Sequence, residues 1–397
     1  MTDAGGSAVL ALNAGSSSVK FALFGSSDRA TLPVATLRGS LTGEDTGTPH
    51  FRVSDATGAV LVDERWRNDG TAAWTERLIG WIEEHLGDAA LIGVGHRVVH
   101  GGRDFVDPVR IDDEVLLRLD ALTPLAPLHQ PASLAPIRQL RQSRPDLPQF
   151  ACFDTAFHHG LLPPVSRYPL PRALEEDGIR RYGFHGLSYE AIAAKLRRGG
   201  RCAPDERVIV AHLGSGASLC AMRNLASVDT TMGFTALDGV MMGTRPGTLD
   251  PGILLYLMQA KGYDASRIEH LLYHESGLLG VSGISSDVET LLASDAPEAR
   301  EALDLFAFLI ARQAAALMVT LGGVDRFVFT GGVGEHAWQI RRSVIGWLGW
   351  TGCATDEEAN RSNKPVISPE GGGISVETME TDEEAIIAGH AIACLNA

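Results

Sequence analysis

Two short apolar runs joined by a glycine–serine turn open the chain, and the arrangement returns in its second half. Residues Ala8–Phe24 read AVLALNAGSSSVKFALF, with Val9–Leu12 and Val19–Phe24 flanking the small polar stretch Asn13–Ser18. Val208–Met222 reads VIVAHLGSGASLCAM. Placing Gly15 on Gly214 sets Asn13 on His212, an offset of 199 residues. Each segment predicts a β-hairpin whose turn carries few side chains, so backbone N–H groups and hydroxyls can close on an anion. Lys20 stands just past the first turn, adding positive charge. A third strand-then-glycine segment, Arg326–His336 (RFVFTGGVGEH), predicts an anion or nucleotide seat between a strand and a helix. One such turn is an ordinary surface hairpin. Two related by half the chain predict a duplicated fold with a phosphate clamp in each half.

A chain of 397 residues is long enough for two domains, each burying its own core. Its net charge of −15, without a basic cluster, argues against a polyanionic partner. Local arginines can still bind a small anion. Five cysteines at scattered positions with no CxxC pair fit reduced core residues. The first residues lack the basic and apolar regions of a signal peptide, so a cytoplasmic location is expected. Leu303–Leu321 is apolar but broken by Arg312 and Gln313, and reads as a buried helix. No glycine is followed by lysine and no HRD…DFG pair occurs, which excludes P-loop and protein-kinase machinery.

The chemistry-bearing residues fall at the ends of predicted elements. The strand Ala90–Val94 runs into GHRVVHGGR, which holds Arg97, and the strand Gln149–Phe153 runs into Asp154. Polar residues past the C-terminal ends of strands are where α/β folds place ligands. His185 lies between glycines, before a helix predicted to open at Ser188 as its N-cap. Residues 229–251 form a long, glycine-punctuated, nearly uncharged loop around Arg245. That loop is too apolar for disorder and is expected to be functional. From the residues alone, Arg97 serves equally as a solvated loop arginine and Asp154 as a turn residue, while a lone histidine such as His185 is more often structural than catalytic. Further helices are expected over Ser133–Gln142, after an irregular Pro-rich Leu122–Pro136, and over Gly252–Lys261, Pro297–Leu321 and Glu335–Leu348. A last helix is expected over Thr381–Asn396 with Thr381 as its cap. Gly280–Asp287 reads as a loop, and Val366–Ile374 as a loop and strand.

In order, LNAGSSSVKF, GHRVVHGG, FDTAFHH, YGFHGLS, AHLGSGAS, DTTMGFTALDGVMMGTRPGTLDP, TGGVGEH and ETMETDEEAIIA resemble the acetate kinase family. That family belongs with the sugar kinases, actin and the heat-shock ATPases. The resemblance spans essentially the whole chain. It implies an α/β, two-domain, duplicated actin-like (ribonuclease H-like) kinase fold with an interdomain active-site cleft. Residues 1–152 would form the N-terminal domain, completed by a C-terminal helix 382–397, and residues 153–381 the nucleotide-binding domain. The implied reaction is reversible, Mg²⁺-dependent transfer of a phosphoryl group from ATP to acetate, giving acetyl phosphate and ADP, with Mn²⁺ as an alternative ion. A cytoplasmic homodimer is implied as well.

Carried across, Arg97 and Arg245 hold the carboxylate and the transferring phosphoryl, and His185 hydrogen-bonds that group. His212, Gly214, Ser215 and Gly216 cradle the ATP phosphates, with Lys20 beyond the first turn. Asn13 and Glu383 organise magnesium, and Asp154 positions metal or substrate. Asp287, Gly331, Gly332, Gly334 and Glu335 line the nucleotide. Val99, Leu128 and Phe184 line the acyl pocket. The chain departs from the family pattern at Ser215 (usually Asn), Tyr189 (His), His336 (Asn), Glu289 (Arg), Asp382 (Asn) and Ala236 (Pro). Ala236 motivates a propionate or butyrate kinase as an alternative. Ser215, Tyr189 and Glu289 motivate a catalytically impaired nucleotide-binding regulator. A sugar kinase would need an aspartate base and a polar sugar pocket, against the two arginines.

Overall fold

Strand β1 (Ser7–Ala14) is apolar on both faces: Leu10 and Leu12 enter one core, and Val9 and Ala11 enter others. A strand buried on both sides belongs in the middle of a sheet covered by helices, and β1 sits there in the computed structural model. The structure describes residues 6–15, 18–27, 32–43, 48–66 and 71–397. Ser16 and Ser17 of the predicted first turn lie outside them.

The remaining strands, in chain order, are β2 (Ser18–Gly25), β3 (Ala35–Thr42), β4 (His50–Asp55), β5 (Val60–Arg65), β6 (Ala90–Val98), β7 (Val109–Arg110), β8 (Gln149–Phe153), β9 (Arg207–Leu213), β10 (Ala217–Arg223), β11 (Ala226–Thr230), β12 (Arg326–Thr330) and β13 (Ser375–Thr378). One sheet runs β5-β4-β3-β2-β1-β6-β8-β7 and the other β11-β10-β9-β12-β13. In the first, β1, β2 and β3 pair antiparallel while β6 and β8 continue in parallel. In the second, β9, β10 and β11 pair antiparallel while β12 and β13 continue in parallel. Five strands of the first sheet, β3-β2-β1-β6-β8, share the order and polarity of the second, which is the duplication the hairpins announce.

The chain divides into two units. The first comprises Met1–His159, Gly186–Lys195 and Asp382–Ala397, and the second Gly160–His185 and Leu196–Thr381. The expected boundary at 152/153 therefore differs from the observed one, and residues 186–195 return to the first unit. The reason is packing: Leu187, Ala191 and Ala194 join the core formed by Ala11, Ala22, Cys152 and the C-terminal helix. That helix, Glu383–Leu395, is apolar on nearly every side and lies against β1 and β6.

Several local expectations are corrected. Helix Gly186–Arg198 begins before Ser188, which is buried inside it and is not its cap. Helix Gln130–Ser143 takes in part of the Pro-rich stretch, with a proline in its first turn and Pro136 inside it. Residues predicted as loop near Gly280 are partly helical, in Gly277–Ser282. The glycine run after β12 is itself a short helix, Gly331–His336, followed by Trp338–Trp347. The strand expected within Val366–Ile374 is β13, a few residues later. The last helix is capped by Asp382, not Thr381: the Asp382 carboxylate accepts from Ala385 N. Helix Pro297–Leu321 stands as expected, its Ala, Phe and Ile side chains buried.

Candidate active site

Three adjacent parallel strands of the first unit end together. Leu12 on β1 pairs with His96 on β6, and Arg97 on β6 pairs with Cys152 on β8. Asn13, Arg97 and Asp154 follow as neighbours at the C-terminal ends of those strands. Strand β6 continues through Arg97, so this residue is anchored in the sheet and is not a loop arginine. Its Nε and Nη2 both donate to Asp154 Oδ2, at 2.9 and 2.5 Å. Burial opposes the Arg97 charge, yet Asp154, Glu383 and Glu384 raise its pKa overall. Burial pushes the Asp154 carboxyl upward, against the pull of Arg97. The other Asp154 oxygen, Oδ1, is buried with no hydrogen-bond donor among the described residues.

The C-terminal helix delivers two more carboxylates to this place. Asn13 Nδ2 donates to Glu383 Oε2 at 2.8 Å and to Glu384 Oε1 at 2.9 Å. Burial raises the Glu384 carboxyl, and Glu383 beside it adds to the shift. Asp382 pairs with Arg38 at 2.5 Å, fastening the helix start to β3. Lys20 is the register partner of Asn13 and is exposed on β2. It therefore belongs with the Asn13 group in the first unit and is absent from the nucleotide-sized cavity of the second. Val99 and Leu128 also lie in the first unit, Val99 buried and Leu128 exposed, while Phe184 is buried in the second.

Alternation puts His96 on the opposite face of β6 from Arg97. Burial lowers His96 to about 3. The unfolded chain, with an ordinary histidine near 6.5, binds a proton that the folded state refuses, so stability falls as pH drops below about 6.5. From about pH 7 to about pH 5 we expect a loss of about 2 kcal/mol from this residue. Urea midpoints at the two values measure it, and His96→Gln should flatten the slope; an unchanged slope in that variant would refute the assignment.

In the second unit, His185, His212 and Arg245 converge on one turn. A Cβ added at Gly216 would lie 2.8 Å from Arg245 Nη2 and 3.2 Å from His185 Nε2, so a side chain here would crowd both. His185 has a positive φ of 58°, a strained conformation for a non-glycine residue. Its ring stacks on His212 with centroids 4.4 Å apart. Its Nδ1 is 2.9 Å from Ser218 Oγ. A Ser218 hydroxyl donating to Nδ1 leaves the ring proton on Nε2, facing Gly216. Arg245 Nη1 donates to the Ala236 carbonyl at 2.8 Å, which fixes the guanidinium. Ser218 escaped sequence reasoning, although its place one step into β10 opposite His212 was available from hairpin register.

Beside this cluster lies a cavity of about 840 Å³. The predicted residues Gly214, Ser215, Asp287 and Gly332 line it, as do the departures Glu289 and His336. Gly331, Gly334 and Glu335 support the wall from behind. Gly331 has φ +76°, and a Cβ there would lie 2.7 Å from the Leu213 carbonyl. Glu335 Oε1 accepts from Gly331 N at 3.0 Å. Trp338 and Gln339, unforeseen from sequence, also line the cavity. Tyr189 sits elsewhere, edge-on to His158 within the first unit.

A family model described as the acetokinase family matches residues 8–389. The chain belongs to the acetokinase family. A protein named acetate kinase from Rhodopseudomonas palustris is 50% identical over 389 residues, covering 96% of this chain and 97% of that protein. Among solved structures, a propionate kinase from Francisella tularensis is 34% identical, with a TM-score of 0.87 over 97% of this chain and 99% of that one. An acetate kinase from Porphyromonas gingivalis is 33% identical, with a TM-score of 0.84 over 98% of this chain and 100% of that one. The fold is thus the two-domain, actin-like kinase fold of the acetokinases, with ATP and ADP as the family's co-substrates.

Proposed function

We propose that the protein transfers the γ-phosphoryl group of ATP to acetate, reversibly, forming acetyl phosphate and ADP. A carboxylate oxygen attacks the γ-phosphorus as the bond to the ADP oxygen breaks. Acetate is already ionised at neutral pH, so no general base is required. What the reaction needs is neutralisation of charge on a loose, in-line transition state. The observation that carries this reading is the Arg245 guanidinium and the His185 Nε2 converging at Gly216. In this reading Arg245 and His185 hold the transferring phosphoryl group and Arg97 the carboxylate. The relative at 50% identity named acetate kinase supports acetate as the acceptor.

Magnesium fits the first-unit group. Glu383 and Glu384 are hard oxygen donors, and Asp154 Oδ1 is a buried acceptor without a donor of its own. Magnesium typically takes one or two carboxylates, waters and substrate phosphate. Glu383 would hold it with Asn13, and Asp154 would bind one of its waters; when bound, the ion would neutralise phosphate charge. Among the described residues no group of three His, Cys, Asp or Glu side chains is placed to hold an ion without such help.

The same reading makes the protein a cytoplasmic homodimer. Five free cysteines fit a reducing compartment. Leu255, Tyr256 and Met258 are exposed on one helix, an apolar face that a second copy would cover. Light scattering of the purified chain tests the dimer, and a monomer would refute it.

Propionate is the second candidate acceptor. Ala236 carries the carbonyl that fixes Arg245, and the smaller side chain leaves room where the family usually has proline. The test is hydroxylamine trapping of acyl phosphate with acetate, propionate or butyrate, plus ATP and Mg²⁺. We expect product with acetate at the highest kcat/KM, with overlap because one methylene is worth about 1–3 kcal/mol. Product with propionate alone would transfer the assignment. No product with any acid, despite ADP binding, would establish a regulator.

A further inference from the structure

The cavity wall raises an electrostatic problem. Among its lining residues stand Asp287, Glu289 and His336 but neither lysine nor arginine, although a nucleotide is a polyanion. An answer lies behind the wall. Arg341 is completely buried, and all five of its N–H groups donate to neutral oxygens. Nε donates to Asn360 Oδ1 at 2.7 Å. Nη1 donates to the carbonyls of Gly334 at 2.9 Å and Glu335 at 2.7 Å. Nη2 donates to the Asn360 carbonyl at 2.7 Å and to Asn363 Oδ1 at 2.6 Å. Asn360 in turn donates to the Trp338 carbonyl at 3.0 Å.

Buried arginines are ordinarily paired with a carboxylate. No carboxylate accepts from Arg341 among the described residues, whereas its neighbour Arg342 pairs with Glu357. The charge therefore keeps its field, in surroundings where that field is weakly screened. Burial lowers Arg341 to about 10, which leaves it protonated at neutral pH. The hydrogen bonds it makes directly and through Asn360 reach Gly334, Glu335 and Trp338, in the segment that forms one wall of the cavity.

We propose that Arg341 is a positioning residue for nucleotide binding, fixing the wall around 334–338 and supplying the buried positive charge that the cavity lining lacks. The inference rests on the cavity being the nucleotide site of the proposed kinase. It differs from a purely structural role in its charge, and Asn363 separates the two. Asn363 is exposed with φ +50°, a conformation that aspartate also tolerates. Asn363→Asp keeps the acceptor on Nη2 and adds a carboxylate that cancels the cation.

The experiment measures ADP affinity by calorimetry, and KM for ATP and for acetate, in wild type, Asn363→Asp, Arg341→Met and Arg341→Lys. Asn363→Asp should weaken ADP binding and raise the ATP KM by about tenfold, leaving kcat and the acetate KM within about twofold. Arg341→Met should lose more, and Arg341→Lys should recover part of the loss. Unchanged ADP affinity in Asn363→Asp overturns the proposal, as does an equal rise in both KM values. If Arg341→Met fails to fold, Asn363→Asp decides alone. Calorimetry keeps the two readings distinguishable: a wild type that binds ADP yet forms no acyl phosphate refutes the proposed reaction, while the ADP affinities still judge Arg341.

Discussion

Arg245→Ala is expected to lower kcat by about 10³-fold or more, the scale on which a cation stabilising phosphoryl transfer acts. The guanidinium is held from one side by the Ala236 carbonyl and faces the Gly216 turn with its other nitrogen. Lysine offers a point charge without this fork, so Arg245→Lys should recover little. Arg245 is absent from the residues lining the 840 Å³ cavity, so ADP affinity should stay near that of the wild type. The pair of measurements is the rate of acyl hydroxamate formation and ADP binding by calorimetry. A kcat within about tenfold of wild type would remove Arg245 from the transition state. Loss of ADP binding together with kcat would make it a nucleotide-binding residue instead.

Asp154→Ala should damage both stability and turnover. The side chain is buried and takes two hydrogen bonds from Arg97, itself largely buried. Removing the carboxylate strands the Arg97 cation, and breaking a buried pair from one side costs about 3–5 kcal/mol. Glu383 and Glu384 lie close enough to influence Arg97, so the freed guanidinium has other carboxylates to turn to. That turn would take it out of line with a substrate carboxylate and raise the acetate KM. Asp154→Asn preserves shape and should cost less stability, with activity still depressed because the carboxylate charge is gone. Denaturant midpoints and acetate KM for the two variants decide the matter. If Asp154→Ala is as stable as wild type, the pair does not hold this part of the unit together.

The hairpins, their duplication and the glycines at their turns were legible because each is a local pattern. Leu10, Leu12, Val208 and Val210 announce strands by composition, and Gly216 and Gly331 mark places where backbone or side chains come too close for a Cβ. Helix Pro297–Leu321 was legible for the same reason, its proline start and long apolar run lying within one stretch. Where short-range pattern misled, long-range packing had won. Ser188 has the chemistry of a cap, but the preceding turn hydrogen-bonds Gly186 N to the Asp154 carbonyl, and the helix starts there. Asp382 took the capping role expected of Thr381 because its carboxylate also meets Arg38 across the unit.

By itself, then, the sequence determined the two-fold α/β design, the acetokinase membership and most of the residue types proposed for the chemistry. Only the tertiary structure decided which of them meet. Asn13 and Glu383 are 370 residues apart in the chain and join because an apolar helix must bury itself on β1 and β6. Ser218 became the partner of His185, and Arg341 became a buried cation without a carboxylate among the described residues, behind the cavity wall, through contacts that no local periodicity encodes. Spacing along a chain reports which face a residue takes on its own element. What stands opposite that face is set by the burial of apolar surface over the whole unit.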